Sequence, residues 1–232
     1  MKVERTHSTN TLLKELAAQG NPPEFIYAGY QTAGRGQTGN SWESEEGKNL
    51  LCSILLPPDK NLYFLNIAVS VAVCRAVTGY GLPVTGLTIK WPNDIYWQDK
   101  KVSGILVENA IIGNEIKYSI AGIGLNVNQT EWKSDAPNPI SLRQITGQPY
   151  DIDQMMQDLL EAVQDVLHEP EEAIWAEYKA HLYRKEGFWP FEDRNGRLEA
   201  HIEDVLPTGE IVLRTQNGQL HQYGFKQIKY II

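Results

Sequence analysis

The sequence predicts an α+β fold: a mixed, mainly antiparallel sheet packed with helices, followed by a small all-β unit. Three observations carry this. Residues 87–123 alternate short apolar runs with turn residues, the spacing of an antiparallel strand meander. Ile152, Met155, Met156, Leu159, Leu160, Val163 and Val166 recur at helical spacing. Beyond Gly187 the runs shorten to 201–206, 210–215 and 220–228, separated by Pro207-Thr208-Gly209 and Asn217-Gly218, the punctuation of a small antiparallel barrel. The chain therefore divides into residues 1–186 and a unit of residues 187–232, the second too small to be more than marginal alone and expected to dock on the first.

Taken in order, Ser8, Thr9 and Asn10 precede Leu12, Leu13, Leu16 and Ala17, a helical spacing stopped by Gly20 and Pro22. One of the three polar residues reads as the N-cap, and a helix start also offers free N–H groups to a polar ligand. Residues 25–30 and 49–56 read as strands buried on both faces. Between them runs Gln31-Thr32-Ala33-Gly34-Arg35-Gly36-Gln37-Thr38-Gly39-Asn40-Ser41-Trp42. Its glycines let the backbone approach a carboxylate or phosphate, Arg35 adds positive charge, and Trp42 supplies a stacking face. The same composition suits a mobile surface loop joining two strands.

Pro57-Pro58 breaks the chain, after which Tyr63, Ile67, Ser70, Val71, Cys74 and Val77 mark a central helix that is apolar nearly all round, ended by Gly79 and Gly81. Residues 87–91 form the next strand, Pro92-Asn93-Asp94 a bend, 95–97 an extended continuation and 102–112 a long strand. Gly113-Asn114 is a hairpin signal leading to 116–123. Lys90, Asn93, Asp94, Lys101 and Asn126 then fall at or near strand ends. Asp94 suits an Asx-type turn or a carboxylate that places a metal ion or an amine. Lys90 and Lys101 suit solvated strand ends as well as an anion site. Asn126, between Leu125 and Val127, needs partners if buried. After a polar loop over 129–139, residues 141–145 form a short helix, Asp151 followed by Gln154 resembles a capping box, and Pro170 opens a helix with Ile174, Trp175, Tyr178 and Leu182 on its inner side.

Composition narrows the function classes. With 42% hydrophobic and 22% charged residues in 232, the chain is an ordinary globular protein. Its formal net charge of -8 argues against general nucleic-acid or anionic-membrane binding. Cys52 and Cys74 sit in apolar stretches and read as buried thiols, which fits the cytosol. No run approaches the roughly 20 apolar residues of a membrane span, and the N-terminus lacks a signal-peptide core. Gly47-Lys48-Asn49 lacks the first glycine and the hydroxyl of a Walker loop, Gly122 and Gly124 lack the third glycine of a Rossmann fingerprint, and the histidines have no metal-ligand spacing.

Ser8-Thr9-Asn10, the loop over 31–42, Lys90-Trp91-Pro92-Asn93-Asp94, Lys101-Val102-Ser103-Gly104-Ile105-Leu106-Val107-Glu108 and Gly122-Ile123-Gly124-Leu125-Asn126-Val127-Asn128 together resemble the biotin–protein ligase family in order and spacing. The resemblance covers residues 8–128 and, more weakly, the rest. It implies a class II synthetase-like catalytic domain followed by an SH3-like barrel, and biotin–[acetyl-CoA-carboxylase] ligase activity. In that reaction the biotin carboxylate attacks the α-phosphate of ATP, giving biotinyl-5′-AMP and pyrophosphate, and biotin then passes to a lysine of a biotin carboxyl carrier protein. By position, Ser8, Thr9, Asn10 and Gln31 would hold the biotin ring, with Gly34, Arg35 and Gly36 near its carboxylate and the phosphate. Lys101 would contact the reacting carboxylate and phosphate, and Lys90 and Asn93 would serve the phosphates or Mg²⁺. Trp42 would stack on adenine, Asn126 would bond to it, and Asp94 would orient the acceptor lysine or metal. Gln37 and Gly104 complete the expected binding set, and Lys101, Arg35 and Asp94 the catalytic one.

Some members carry a DNA-binding helix-turn-helix before the catalytic part. This sequence opens at the catalytic part, so no DNA binding is expected; a cytoplasmic homodimer is. Many members have arginines where this chain has Gln37, Thr38 and Asn40, which implies weaker retention of the adenylate. A lipoate or octanoate ligase or transferase of the same fold, or a non-catalytic biotin-binding module, are the alternatives. The polar Ser8, Thr9, Asn10 and Gln31 favour a ureido ring over an apolar lipoyl chain.

Overall fold

The computed structural model describes residues 1–37, 39–57, 62–82, 84–112, 115–134 and 136–232. In chain order its elements are β1 (Lys2–Thr6), α1 (Thr9–Ala18), β2 (Phe25–Gln31), β3 (Leu50–Leu56), α2 (Leu62–Thr78), β4 (Leu87–Lys90), β5 (Asp94–Trp97), β6 (Lys100–Ile112) and β7 (Glu115–Leu125). There follow α3 (Leu142–Thr146), α4 (Ile152–His168), α5 (Glu171–Ala180), β8 (Trp189–Asp193), β9 (Gly196–Val205), β10 (Ile211–Thr215), β11 (Leu220–Tyr223) and β12 (Ile228–Tyr230). The Gly113-Asn114 turn lies outside the described residues.

The first seven strands form one mixed sheet in the order β1-β2-β3-β7-β6-β5-β4. Only β1 and β2 run parallel; the other pairs are antiparallel. Both faces of the middle strands are covered, which is why Leu50–Leu56 reads as an apolar run interrupted only by Ser53. On one face Cys52, Ile54, Ala121 and Ile123 pack under α2, α4 and α5. On the other, Leu13 of α1 meets Ile26 and Ile120. Burying a side chain such as Ile67 or Leu159 contributes on the order of 2 kcal/mol.

Local signals decide the ends. Asp151 caps α4 by accepting from the backbone N–H groups of Asp153 (2.8 Å) and Gln154 (3.1 Å). The expected capping box does not close there, because Gln154 Nε2 donates to Asp158 instead (2.7 Å). It closes at Ser141 and Gln144, which starts α3. α5 ends at Ala180, short of Leu182, and the chain then lies along the edge strand: Ile89 N–H donates to the His181 carbonyl (2.7 Å) and Tyr183 N–H to the Ile89 carbonyl (2.9 Å).

The C-terminal strands form a five-stranded antiparallel sheet in the order β11-β10-β9-β8-β12. The single run expected over 220–228 is two strands, β11 and β12, separated where Gly224 N–H donates to Gln227 Oε1 (2.7 Å). Phe191, Ile202 and Tyr230 join the same hydrophobic cluster as the main sheet, and Trp91 Nε1 donates to the Gly209 carbonyl (3.0 Å). Cys52 and Cys74 are buried free thiols, and burial pushes both upward. Among the described residues no helix is long and apolar enough to cross a membrane.

Candidate active site

A cleft of about 910 Å³ opens on the α1 face of the sheet, between the loop that follows β2, the paired strands β6 and β7, and the last residues of the chain. Ser8, Thr9, Asn10, Gln31, Arg35, Gly36, Gln37, Trp42, Lys90, Asn93, Asp94, Lys101 and Gly104 line it; Gly34 and Asn126 do not.

At one end the first residues of α1 meet β2 and β3. Ser8, Thr9 and Asn10 are all buried. Ser8 occupies the N-cap position, yet its side chain makes no cap bond, so the hydroxyl is not spent on the helix. Thr9 N–H donates to Gln31 Oε1 (2.8 Å), which fixes that amide and leaves its N–H groups for the cleft. Ser53 Oγ lies 2.7 Å from Thr9 Oγ1 and 2.5 Å from Asn10 Oδ1. Asn10 Oδ1 can only accept, so the single Ser53 proton serves it. Asn10 Nδ2 then donates to Glu108 Oε2 (2.7 Å) and the Leu106 carbonyl (3.3 Å). Gly122 is required beneath: a Cβ there would lie 2.3 Å from Asn10 Oδ1.

In the middle, the loop that follows β2 folds back on itself. Gly36 N–H donates to the Asn40 carbonyl (2.8 Å) and Trp42 N–H to the Gly34 carbonyl (3.0 Å). Gly34 backs Trp42, since a Cβ there would sit 2.6 Å from the Trp42 carbonyl. The indole lies over Gly104 and Gly124, and its buried Nε1 has no partner among the described residues. Arg35 does not stand as a free cation: its Nη2 donates to Glu108 Oε2 (2.8 Å). Gln37 Oε1 is buried without a partner among the described residues, and Thr38 lies outside them.

At the far end two lysines are held differently. Lys101 Nζ pairs with Asp94 Oδ1 at 2.7 Å and lies 5.4 Å from the Trp42 ring centroid. Strand alternation alone would send Lys101 to the face opposite Gly104. The β5–β6 register shifts between Ile95 and Tyr96, a bulge that turns the side chain back. Lys90 Nζ lies over Tyr96 (5.1 Å) and Tyr230 (5.0 Å), with no ion pair among the described residues. Burial pushes its pKa down, opposed by Asp94.

Two asparagines act on the backbone. Asn93 Nδ2 donates to the Ile105 carbonyl. Asn126 Nδ2 donates to the carbonyls of Lys101 (3.3 Å) and Ile140 (3.2 Å), so it supports the strand that carries Lys101. Its Oδ1 is buried and unpartnered among the described residues. Those residues contain no group of three or more His, Cys, Asp or Glu side chains that would cage a metal ion.

Sequence reasoning missed Ser53, Tyr96, Tyr230 and Glu108 as site residues. Glu108 closes the motif that begins at Lys101, and Gly104, Leu106 and Glu108 share a strand face, a signal available from alternation. Tyr230 carried no local signal.

Residues 3–126 match the biotin/lipoate A/B protein ligase family, more than half of the 232-residue chain. The chain belongs to this family. Among curated relatives, the biotin–[acetyl-CoA-carboxylase] ligase of Paracoccus denitrificans is 29% identical over 93% of this chain and 94% of its own. The bifunctional ligase/repressor BirA of Bacillus spizizenii is 36% identical over 66% of this chain and 49% of its own, so the chain spans about half the length of that relative. The biotin protein ligase of Aquifex aeolicus in complex with biotin and ATP superposes with a TM-score of 0.81 at 25% identity, covering 100% of this chain and 98% of that one. Within the biotin/lipoate ligase family match lie Ser8, Thr9, Asn10 and Gln31, the loop that follows β2 and both lysines; β12, which carries Tyr230, lies beyond it.

Proposed function

We propose that the chain is an ATP-dependent biotin–protein ligase, which forms biotinyl-5′-AMP and passes biotin to a lysine of a biotin carboxyl carrier protein. The order of chemistry along one face of β6 and β7 carries this reading. An amide- and hydroxyl-lined pocket lies over Leu106 and Gly122, an indole over Gly104 and Gly124, and a lysine–carboxylate pair beyond. Two residues of strand advance roughly 7 Å, so a ureido ring at the first point sends its acyl chain past the indole towards the lysines.

Adenylation brings a carboxylate to a polyanion, and the chain's own contribution is charge placement. Asp94 holds the Lys101 ammonium in place at 2.7 Å; an arriving phosphate oxygen competes for the same ammonium. Lys90 has aromatic faces and no ion pair among the described residues, which leaves its ammonium open to the phosphates. Mg²⁺ would enter with the triphosphate as part of the substrate, Asp94 being the carboxylate beside Lys101 that would meet it. We divide the chain at residue 187 and read the five-stranded sheet beyond it as an SH3-like barrel docked on the catalytic unit.

A lipoyl or octanoyl ligase is the second reading within the family. The Ser8 hydroxyl, which makes no cap bond, and the Gln31 amide N–H groups disfavour it, since an apolar chain would leave them unpaired. Biotin-dependent exchange of labelled pyrophosphate into ATP, with lipoate and octanoate in parallel, decides between them. Exchange with biotin alone supports the ligase; exchange with lipoate alone overturns the substrate; tight biotin binding without exchange overturns the enzyme.

A further inference from the structure

Glu108 lies outside the cleft wall and touches two residues that line it. A single oxygen, Oε2, accepts from Asn10 Nδ2 at 2.7 Å and from Arg35 Nη2 at 2.8 Å. Asn10 belongs to the ring end and Arg35 to the loop, and the two come from distant parts of the chain. Each is restrained from its other side. Asn10 Oδ1 is held by Ser53 (2.5 Å), and the Arg35 backbone bridges to Ser41 within the loop. Any shift of the amide therefore moves the oxygen that aims the guanidinium, and any shift of the guanidinium loads the amide. Hydrogen bonds to a carboxylate are short and strong, so this joint is stiffer than a bond between neutral groups.

We propose that Glu108 is a positioning residue coupling the two ends of the ligand: occupation of the ring pocket, read by Asn10, sets the Arg35 guanidinium for the carboxylate end. The proposal rests on the biotin-ligase reading for the identity of the ligand. It assigns Glu108 no contact with substrate. Its consequence is cooperativity between two residues that share one carboxylate oxygen and have no hydrogen bond to each other among the described residues.

The test is a three-residue mutant cycle read by calorimetric titration with biotin. In the wild-type background, Asn10→Ala and Arg35→Ala are expected to be non-additive, the double variant losing at least about fivefold less affinity than the product of the single losses. In a Glu108→Ala background, itself about tenfold weaker, the two losses should multiply. Glu108→Gln keeps a neutral acceptor and should restore part of the coupling, and being isosteric it keeps the test valid if Glu108→Ala unfolds. A purely structural role for Glu108 would lower thermal stability and leave the coupling unchanged. Equal non-additivity with and without the carboxylate overturns the proposal, as does additivity in the wild type. Biotin binding without pyrophosphate exchange would sink the ligase reading while leaving the cycle measurable; no biotin binding at all would sink both.

Discussion

Gly104 and Gly124 face each other across the β6–β7 ladder, and the Trp42 indole occupies the space their side chains would fill. A Cβ at Gly124 would lie 2.4 Å from Trp42 Cε2, and one at Gly104 2.9 Å from Cζ3. The position of the largest flat surface in the cleft is thus set by two absent methyl groups.

Gly124→Ala should displace the indole without unfolding the sheet. The neighbour is a rigid ring, so the 2.4 Å contact cannot be relieved by a small shift. If Trp42 stacks on the nucleotide base, the variant raises KM for ATP at least about tenfold, the worth of one base–aromatic stack. Steady-state exchange kinetics measure this. Intrinsic fluorescence should change in Gly124→Ala and not when Trp42→Phe is already present. Unchanged KM alongside a displaced indole would remove the stacking role.

The legible parts of this fold are those where one physical signal dominates. The heptad-like apolar spacing of α4 and the glycine-ended α2 announce themselves because burial requires that pattern. β1 does not, since only Val3 and Thr6 are even partly buried and its ladder to β2 holds it. The residue types of the site were readable at Ser8, Thr9, Gln31, Trp42 and Lys101. Their aim was not. Lys101 turns into the cleft through a bulge, and Arg35 is neutralised by Glu108, whose neighbourhood depends on the register between strands. Tyr230 reaches Lys90 by tertiary packing alone.

The Lys101–Asp94 pair separates chemistry from binding. Both side chains are partly shielded, 30% and 19% exposed, so the pair contributes at most about 1 kcal/mol to stability. Lys101→Ala should therefore fold, bind biotin within about threefold of the wild type, and lose exchange by on the order of a hundredfold or more. Asp94→Asn, which frees the ammonium without removing it, should lower kcat less than Lys101→Ala does. Parallel calorimetry and exchange assays read both effects; a Lys101→Ala enzyme with normal exchange would exclude Lys101 from the reaction.

Gln37 presents a buried Oε1 without a partner among the described residues, where the family resemblance leads to the expectation of a cation. An arginine there would add a second fixed positive charge to the loop, and a charge-assisted hydrogen bond to a phosphate is worth roughly ten- to a hundredfold. Gln37→Arg should slow dissociation of preformed biotinyl-AMP by about that factor. Rapid-mixing release of labelled adenylate is the measurement, and an unchanged off-rate would mean that the loop backbone, not its side chains, holds the intermediate.

Lys90 and Tyr230 give the sharpest test of how the C-terminal sheet serves the cleft. Tyr230 offers its ring to the ammonium at 5.0 Å while its hydroxyl is buried without a partner among the described residues. Tyr230→Phe keeps the ring and deletes the unpaired hydroxyl, so stability and KM for ATP should hold or improve. Tyr230→Leu and, independently, Tyr96→Leu should each raise KM for ATP by about two- to fivefold, the worth of a partly exposed cation–π contact. Burial lowers the Lys90 pKa, with Lys101 and Arg184 acting the same way and Asp94 opposing them. The protonated group therefore costs folding free energy at neutral pH. That cost is relieved as pH rises through the folded pKa towards the ordinary lysine value, while the charge needed for phosphate is lost in the same window. The alkaline limb of kcat/KM for ATP should accordingly lie below that of an unperturbed lysine, and Lys90→Arg, cationic throughout, should abolish it. A limb that survives Lys90→Arg would assign the titration to another group.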